Sequence, residues 1–77
     1  MYSRIRDLRE DKDLLQKDMA EALHCTQVCY SNYETGKRDI PTETLIKLAI
    51  FHHTSIDYLL GLTNERVPYP RNARNFT

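Results

Sequence analysis

The sequence predicts an all-α domain of five short helices followed by a short extended tail, and three observations predict it. Apolar residues recur at helical intervals: Ile5 and Leu8; Met19, Ala20 and Leu23; Leu45, Leu48 and Ala49; Ile56, Leu59 and Leu60. No run of any length alternates with the period of two that a half-buried strand requires. Helix-starting and helix-stopping residues fall between the apolar groups at short spacing. The chain has 77 residues, 40% of them hydrophobic and 29% charged, the composition of one small globular domain. A chain of that size buries only about 60% of its unfolded surface, so its core is small and a partner copy would add burial.

The elements follow in order. A first helix is expected over 2–11, and "EDKD" (10–13), which has no apolar residue, separates it from a second over 16–23. Thr26 caps a third helix over 27–35, its hydroxyl accepting one of the first-turn N–H groups that have no helical partner. Gly36 stops that helix in the left-handed conformation a glycine adopts freely. Pro41-Thr42 opens a fourth helix over 42–52. His53-Thr54-Ser55 breaks it, and Ser55 caps a fifth helix over 56–60 that ends before Gly61. From Asn64 onward there are two prolines, three arginines and no periodicity. Residues 1–63 are therefore the folded domain. Residues 64–77 are a basic extended tail, expected to be disordered at its end or to contribute to a dimer contact. Its apolar members Val67, Tyr69 and Phe76 favour docking.

Charge and chemistry exclude several classes. The net charge is zero, which argues against indiscriminate nucleic-acid binding; only the tail, through Arg66, Arg71 and Arg74, is clearly basic. No apolar run spans a membrane, the start is no signal peptide, and two cysteines form no disulfide framework, so a reducing cytoplasm is expected. No paired carboxylates, no nucleophile with a base and no glycine-rich phosphate loop are present, so no enzyme and no cofactor are expected. His24, Cys25 and Cys29 suggest a metal or redox site at first sight. A fourth ligand is lacking nearby, and structural zinc takes four. Cys25 is read as a small core residue before the third helix and Cys29 as lying on its outer side. His52 and His53 end the fourth helix, where a histidine suits the helix dipole.

The stretch with most information is "QKDMAEAL", then His24-Cys25-Thr26, then "QVCYSNYE". Two helices joined by a turn this short form a helix-turn-helix. Tyr30 and Tyr33 face inward on the second of the pair. Gln27, Val28, Ser31 and Asn32 face outward and are small or amide-bearing. Together with "RIRDLRE", "TQVCYSNYETGKRDIP" and "TLIKLAIFHHTSIDYLLGLT", these segments resemble the lambda-repressor/Cro-like (Xre-type) helix-turn-helix family over residues 4–63.

The resemblance implies a compact five-helix lambda-repressor-like fold and sequence-specific binding of double-stranded DNA as a homodimer, with the third helix in the major groove. Gln27 and Asn32 suit bidentate contacts to adenine, Val28 a thymine methyl, and Ser31 either strand. Gln16, Lys17, Lys37 and Arg38 suit the DNA backbone and would set register and salt dependence. Arg9 and Glu34 match a structural ion pair of the family. Tyr58 and Leu62 are the expected dimer seam, and His52 occupies an aromatic position expected to be half-buried. The departures are His24 for the glycine of the turn, Leu15 for the Ser/Thr cap of the second helix, and Cys25 and Tyr30 for aliphatic residues. A transcriptional regulator, a repressor of bacterial or prophage type, is the leading expectation. The alternative is an antitoxin-like module whose main partner is a protein and whose DNA binding is autoregulatory.

Overall fold

The computed structural model describes residues 3–68, and among them every regular element is helical. The order is α1 (Ser3–Asp11), α2 (Gln16–Leu23), α3 (Gln27–Thr35), α4 (Thr42–Phe51) and α5 (Ile56–Leu59). All five expected helices form, with ends within one residue of the expectation wherever the residues are described. α4 stops at Phe51 and α5 at Leu59, each one residue earlier than the apolar spacing suggested.

The apolar stripes converge on one core. Ile5 and Leu8 from α1, Met19, Ala20 and Leu23 from α2, Tyr30 and Tyr33 from α3, Ile40 from the loop, Leu48 and Ala49 from α4, and Leu59 from α5 are all buried. Each fully buried Ile, Leu or Met contributes about 1.5–3 kcal/mol, so Ile5, Leu8, Met19, Leu48 and Leu59 carry much of the fold. α2 packs chiefly on α3 and α4 on α5, while α1 lies over α3 and α5. The small Ala20, 3% exposed, sits in the buried face where α2 meets α3.

Helix entries are capped as the side-chain chemistry requires. The Thr26 hydroxyl accepts from the Cys29 N–H at 3.0 Å, and the Ser55 hydroxyl from the Tyr58 N–H at 3.1 Å. Leu15 has no side-chain acceptor, as the sequence reading noted. The Leu15 N–H nevertheless donates to the Asp18 carboxylate at 2.8 Å, the return half of a capping box.

The first residues of the tail are tied to the domain through Asn64 and Arg66. The Thr54 hydroxyl donates to the Arg66 carbonyl at 2.7 Å, and the Arg66 guanidinium reaches Asp11 at 3.3 Å. Arg4 donates to the carbonyls of Tyr58 and Thr63 and to the Asn64 side chain. Val67 is 68% exposed in the single chain, and the ties to the domain are made by backbone and polar side-chain groups. Tyr69, Phe76, Arg71 and Arg74 lie outside the described residues.

Candidate nucleic-acid interface

α3 has two faces with different duties. Its inner face is held by Tyr30 and Tyr33 in the core and by Glu34, which is 5% exposed. Arg9 grips the Glu34 carboxylate with two hydrogen bonds, Nε at 2.7 Å and Nη2 at 3.2 Å. Its Nη1 donates to the Leu14 carbonyl at 2.8 Å, which ties the start of α2 to the same clamp. Burial opposes the charge on Glu34, but the hydrogen bonds from Arg9 and Gln16 outweigh it and hold the carboxyl below its usual range. The same pair raises Arg9, chiefly through its hydrogen bond to Glu34. Burial, and then the adjacent carboxylate, push the Tyr30 phenol far above its ordinary value. Breaking one side of a buried pair costs about 3–5 kcal/mol, because the other charge is left uncompensated.

The outer face carries Gln27, Val28, Ser31 and Asn32 at positions one turn apart, with no formal charge among them. Gln27 is exposed and Val28 is 71% exposed, whereas Ser31 and Asn32 are half-buried. The Thr35 hydroxyl donates back to the carbonyls of Ser31 and Asn32. Lys17 is exposed on the first turn of α2, and Lys37 and Arg38 are exposed just beyond α3. The α3–α4 loop is anchored by the Arg38 N–H, which donates to the Asn32 carbonyl at 3.3 Å. That bond fixes where the Lys37-Arg38 pair leaves the helix.

Gln16 is placed differently from what its sequence position alone suggested. Its amide Nε2 donates to Glu34 at 3.1 Å, so one of its two N–H donors belongs to the α1–α3 clamp. Arg6, Arg9, Gln16, Glu34 and Thr35 line a shallow concavity beside the end of α3. Arg6 and Thr35 lie in segments that carry the family resemblance, but neither sits on an apolar stripe and no role was assigned to either from sequence.

His24 has φ 56° and ψ 43°, the left-handed geometry that the missing turn glycine implied. Cys25 is half-buried against the core, as expected. Cys29 is not on the outer side of α3. It is half-buried against the same core, and the Arg38 guanidinium donates to its sulfur at 3.6 Å. It lies one helical turn before the buried Tyr33, so it shares that residue's face. His52 is buried at 4% exposure, deeper than the half-burial expected. Of the two seam candidates, Leu62, just beyond α5, is 74% exposed, while one face of the Tyr58 ring in α5 is covered by the Arg4 guanidinium at 4.1 Å. Among the described residues no group of three or more His, Cys, Asp or Glu side chains is placed to hold a metal ion. No described helix is long and apolar enough to cross a membrane.

Comparison with known proteins converges on one family. The family model described as Helix-turn-helix matches residues 5–59. The chain is 41% identical over 58 residues to the HTH-type transcriptional regulator ImmR of Bacillus subtilis (strain 168), covering 75% of this chain and 46% of that protein. It is 35% identical over 69 residues to the uncharacterized HTH-type transcriptional regulator YobD of the same strain, covering 88% and 62%. It is 38% identical over 59 residues to the cryptic phage CTXphi transcriptional repressor RstR of Vibrio cholerae, covering 77% and 53%. The chain thus spans about half the length of the curated relatives it matches. No solved structure gives a match.

Proposed function

Because the chain belongs to the lambda-repressor/Cro-like helix-turn-helix family, we propose that it binds duplex DNA in a sequence-specific way, as a homodimer, and acts as a transcriptional repressor in the cytoplasm. The observation that carries this reading is the two-sidedness of α3. Its inner face is clamped by Tyr30, Tyr33 and the Arg9–Glu34 pair, while its outer face offers amides, a hydroxyl and one methyl-bearing side chain to solvent. An uncharged strip of that kind, flanked by Lys17, Lys37 and Arg38, suits a groove floor between phosphate walls. Gln27 and Asn32 read adenine, Val28 meets a thymine methyl, and Ser31 adds a hydroxyl contact. Lys17, Lys37, Arg38 and the second Gln16 N–H meet the backbone. Leu62, with Tyr58 beside it, forms the dimer seam and sets the half-site spacing at about one helical turn, roughly 34–36 Å.

The decisive experiment is selection of bound sequences from a random duplex pool, with the mass of the free protein measured alongside. A palindromic site and a dimer mass are expected. Gln27→Ala and Asn32→Ala should each change preference at one base pair by about 1–3 kcal/mol. Lys37→Ala should weaken all duplexes alike and reduce the salt dependence. Unchanged preference in both amide variants would remove them from the reading face. Copurification of a stable second protein in place of a dimer would favour the antitoxin-like alternative.

A further inference from the structure

Arg4 is a cation that the proposed DNA contacts do not use. It stands half-buried in the first turn of α1. Its Nη1 donates to the Tyr58 carbonyl at 2.9 Å and to the Thr63 carbonyl, and its Nη2 donates to Asn64 Oδ1 at 2.8 Å. The same guanidinium lies over the Tyr58 ring, 4.1 Å from its centroid. These partners are 54, 59 and 60 residues away along the chain, so one side chain joins the first helix to the end of the last. The Tyr58 carbonyl is in the last turn of α5, where a helix leaves carbonyls without helical partners. Between the Tyr58 and Thr63 carbonyls runs the turn that carries Leu62. Its Gly61 is left-handed, with φ 81°. The Gly61 N–H donates to the Tyr58 carbonyl at 3.1 Å and the Leu62 N–H to the Asp57 carbonyl at 2.9 Å. Arg4 thus grips the turn on both sides of Leu62, whose side chain is 74% exposed.

We propose that Arg4 is the positioning residue of the dimer seam: its fork holds the 58–64 turn in the conformation that presents Leu62 to a second copy of this chain. The inference rests on the proposed seam at Leu62. A turn already fixed in the free protein spares association the cost of ordering it. The planar guanidinium suits this task because its N–H groups diverge at fixed angles, so it bonds two carbonyls and an amide oxygen while covering an aromatic ring. A lysine ammonium carries the same charge on one nitrogen at the end of a flexible stem. The fork, and not the charge, is therefore what the seam requires. A plain staple between α1 and α5 would act otherwise: losing it would lower the stability of each copy and leave the association of folded copies unchanged.

The test is the dimer dissociation constant of the full-length chain, measured without DNA by sedimentation equilibrium well below the melting temperature, with helix content followed by circular dichroism. Arg4→Lys should raise that constant about tenfold, the scale of coupling between residues that share partners, with helix content unchanged. In a Leu62→Ala background the same change should cost much less, because the side chain that Arg4 positions is gone. Asn64→Ala removes one of the three bonds and should weaken the dimer to a smaller extent; it decides the matter if the Arg4 variants fail to fold. Wild-type affinity in Arg4→Lys, or an equal loss with and without the Leu62 side chain, would overturn the proposal. So would wild-type affinity in Asn64→Ala where that variant has to decide. Leu62→Asp separates the two readings. If it is monomeric while Arg4→Lys pairs like the wild type, only the role of Arg4 is lost. If it stays dimeric, or if the wild type is itself a monomer, the seam at Leu62 falls and the role of Arg4 with it.

Discussion

His52 is the residue whose chemistry depends most on where the fold puts it. Its ring is buried, its Nε2 has no hydrogen-bond partner, and Lys12 Nζ stands 3.1 Å from Nδ1. Burial, then the positive charges of Lys12 and Arg66, lower its pKa from the ordinary 6.5 to about 4. Between those values the unfolded chain carries a proton on His52 that the folded chain does not. Stability therefore falls as pH drops from about 6.5 to about 4, by about 3 kcal/mol in all. His52→Phe should flatten that stretch of the stability-against-pH curve measured by urea unfolding, since Lys12 is at the surface and returns to water. An unchanged slope would show that another group titrates there. Glu34 acts in a separate, more acid window. Its lowered pKa stabilises the fold above the ordinary carboxylate value of about 4.3, and the gain is lost as pH falls through the folded value. The ion pair was legible in the sequence through the family resemblance. The burial of His52 was only half legible, because Lys12 and the charge of Arg66 are brought to it from distant parts of the chain.

The helix ends share one device. α1, α2, α4 and α5 all close with a pair of bonds in which one left-handed residue and its successor donate back into the last turn. At α2 these are His24 N–H to Glu21 and Cys25 N–H to Ala20, at 3.2 and 3.0 Å. The pivot residue must be left-handed, and only at α5 is it glycine, Gly61; Asp13, His24 and His53 fill the other three. A β-carbon in that conformation costs roughly 1–2 kcal/mol, partly offset by the greater unfolded-state entropy of glycine. His24→Gly should therefore raise stability by about 1 kcal/mol, seen as a higher melting temperature with α3 and its contacts intact. A lower or equal melting temperature would mean that the His24 side chain contributes something its exposed position does not reveal. His24 was legible in the sequence because the family places a glycine there. Asp13 and His53 were not, since no local pattern separates a left-handed aspartate or histidine from an ordinary loop residue.

At the scale of the molecule, charge and exposed apolar surface are distributed unequally. A chain of zero net charge with few cations beside α3 gains little from one copy on DNA, so pairing of two copies is what the proposed function requires. Leu62, 74% exposed at the end of α5, is the residue on which that pairing is expected to rest. Leu62→Asp should shift the protein to monomer in sedimentation velocity and weaken duplex binding, while leaving the helix content unchanged. A dimer that survives the change would move the seam elsewhere, with the exposed Ile50 and Phe51 of α4 the next surface to alter. The sequence by itself determined the helices, their caps at Thr26 and Ser55, the inward tyrosines of α3 and the two-sided helix-turn-helix, because each of these depends on residues within a turn or two of one another. Only the tertiary structure decided that Gln16 spends an N–H on Glu34, that Cys29 turns toward the core and Arg38, and that Arg66 bonds back to Asp11 and Thr54. Those contacts join segments far apart along the chain. The spacing of apolar residues encodes which face of a helix is buried, but not which polar partner a distant segment brings to its edge.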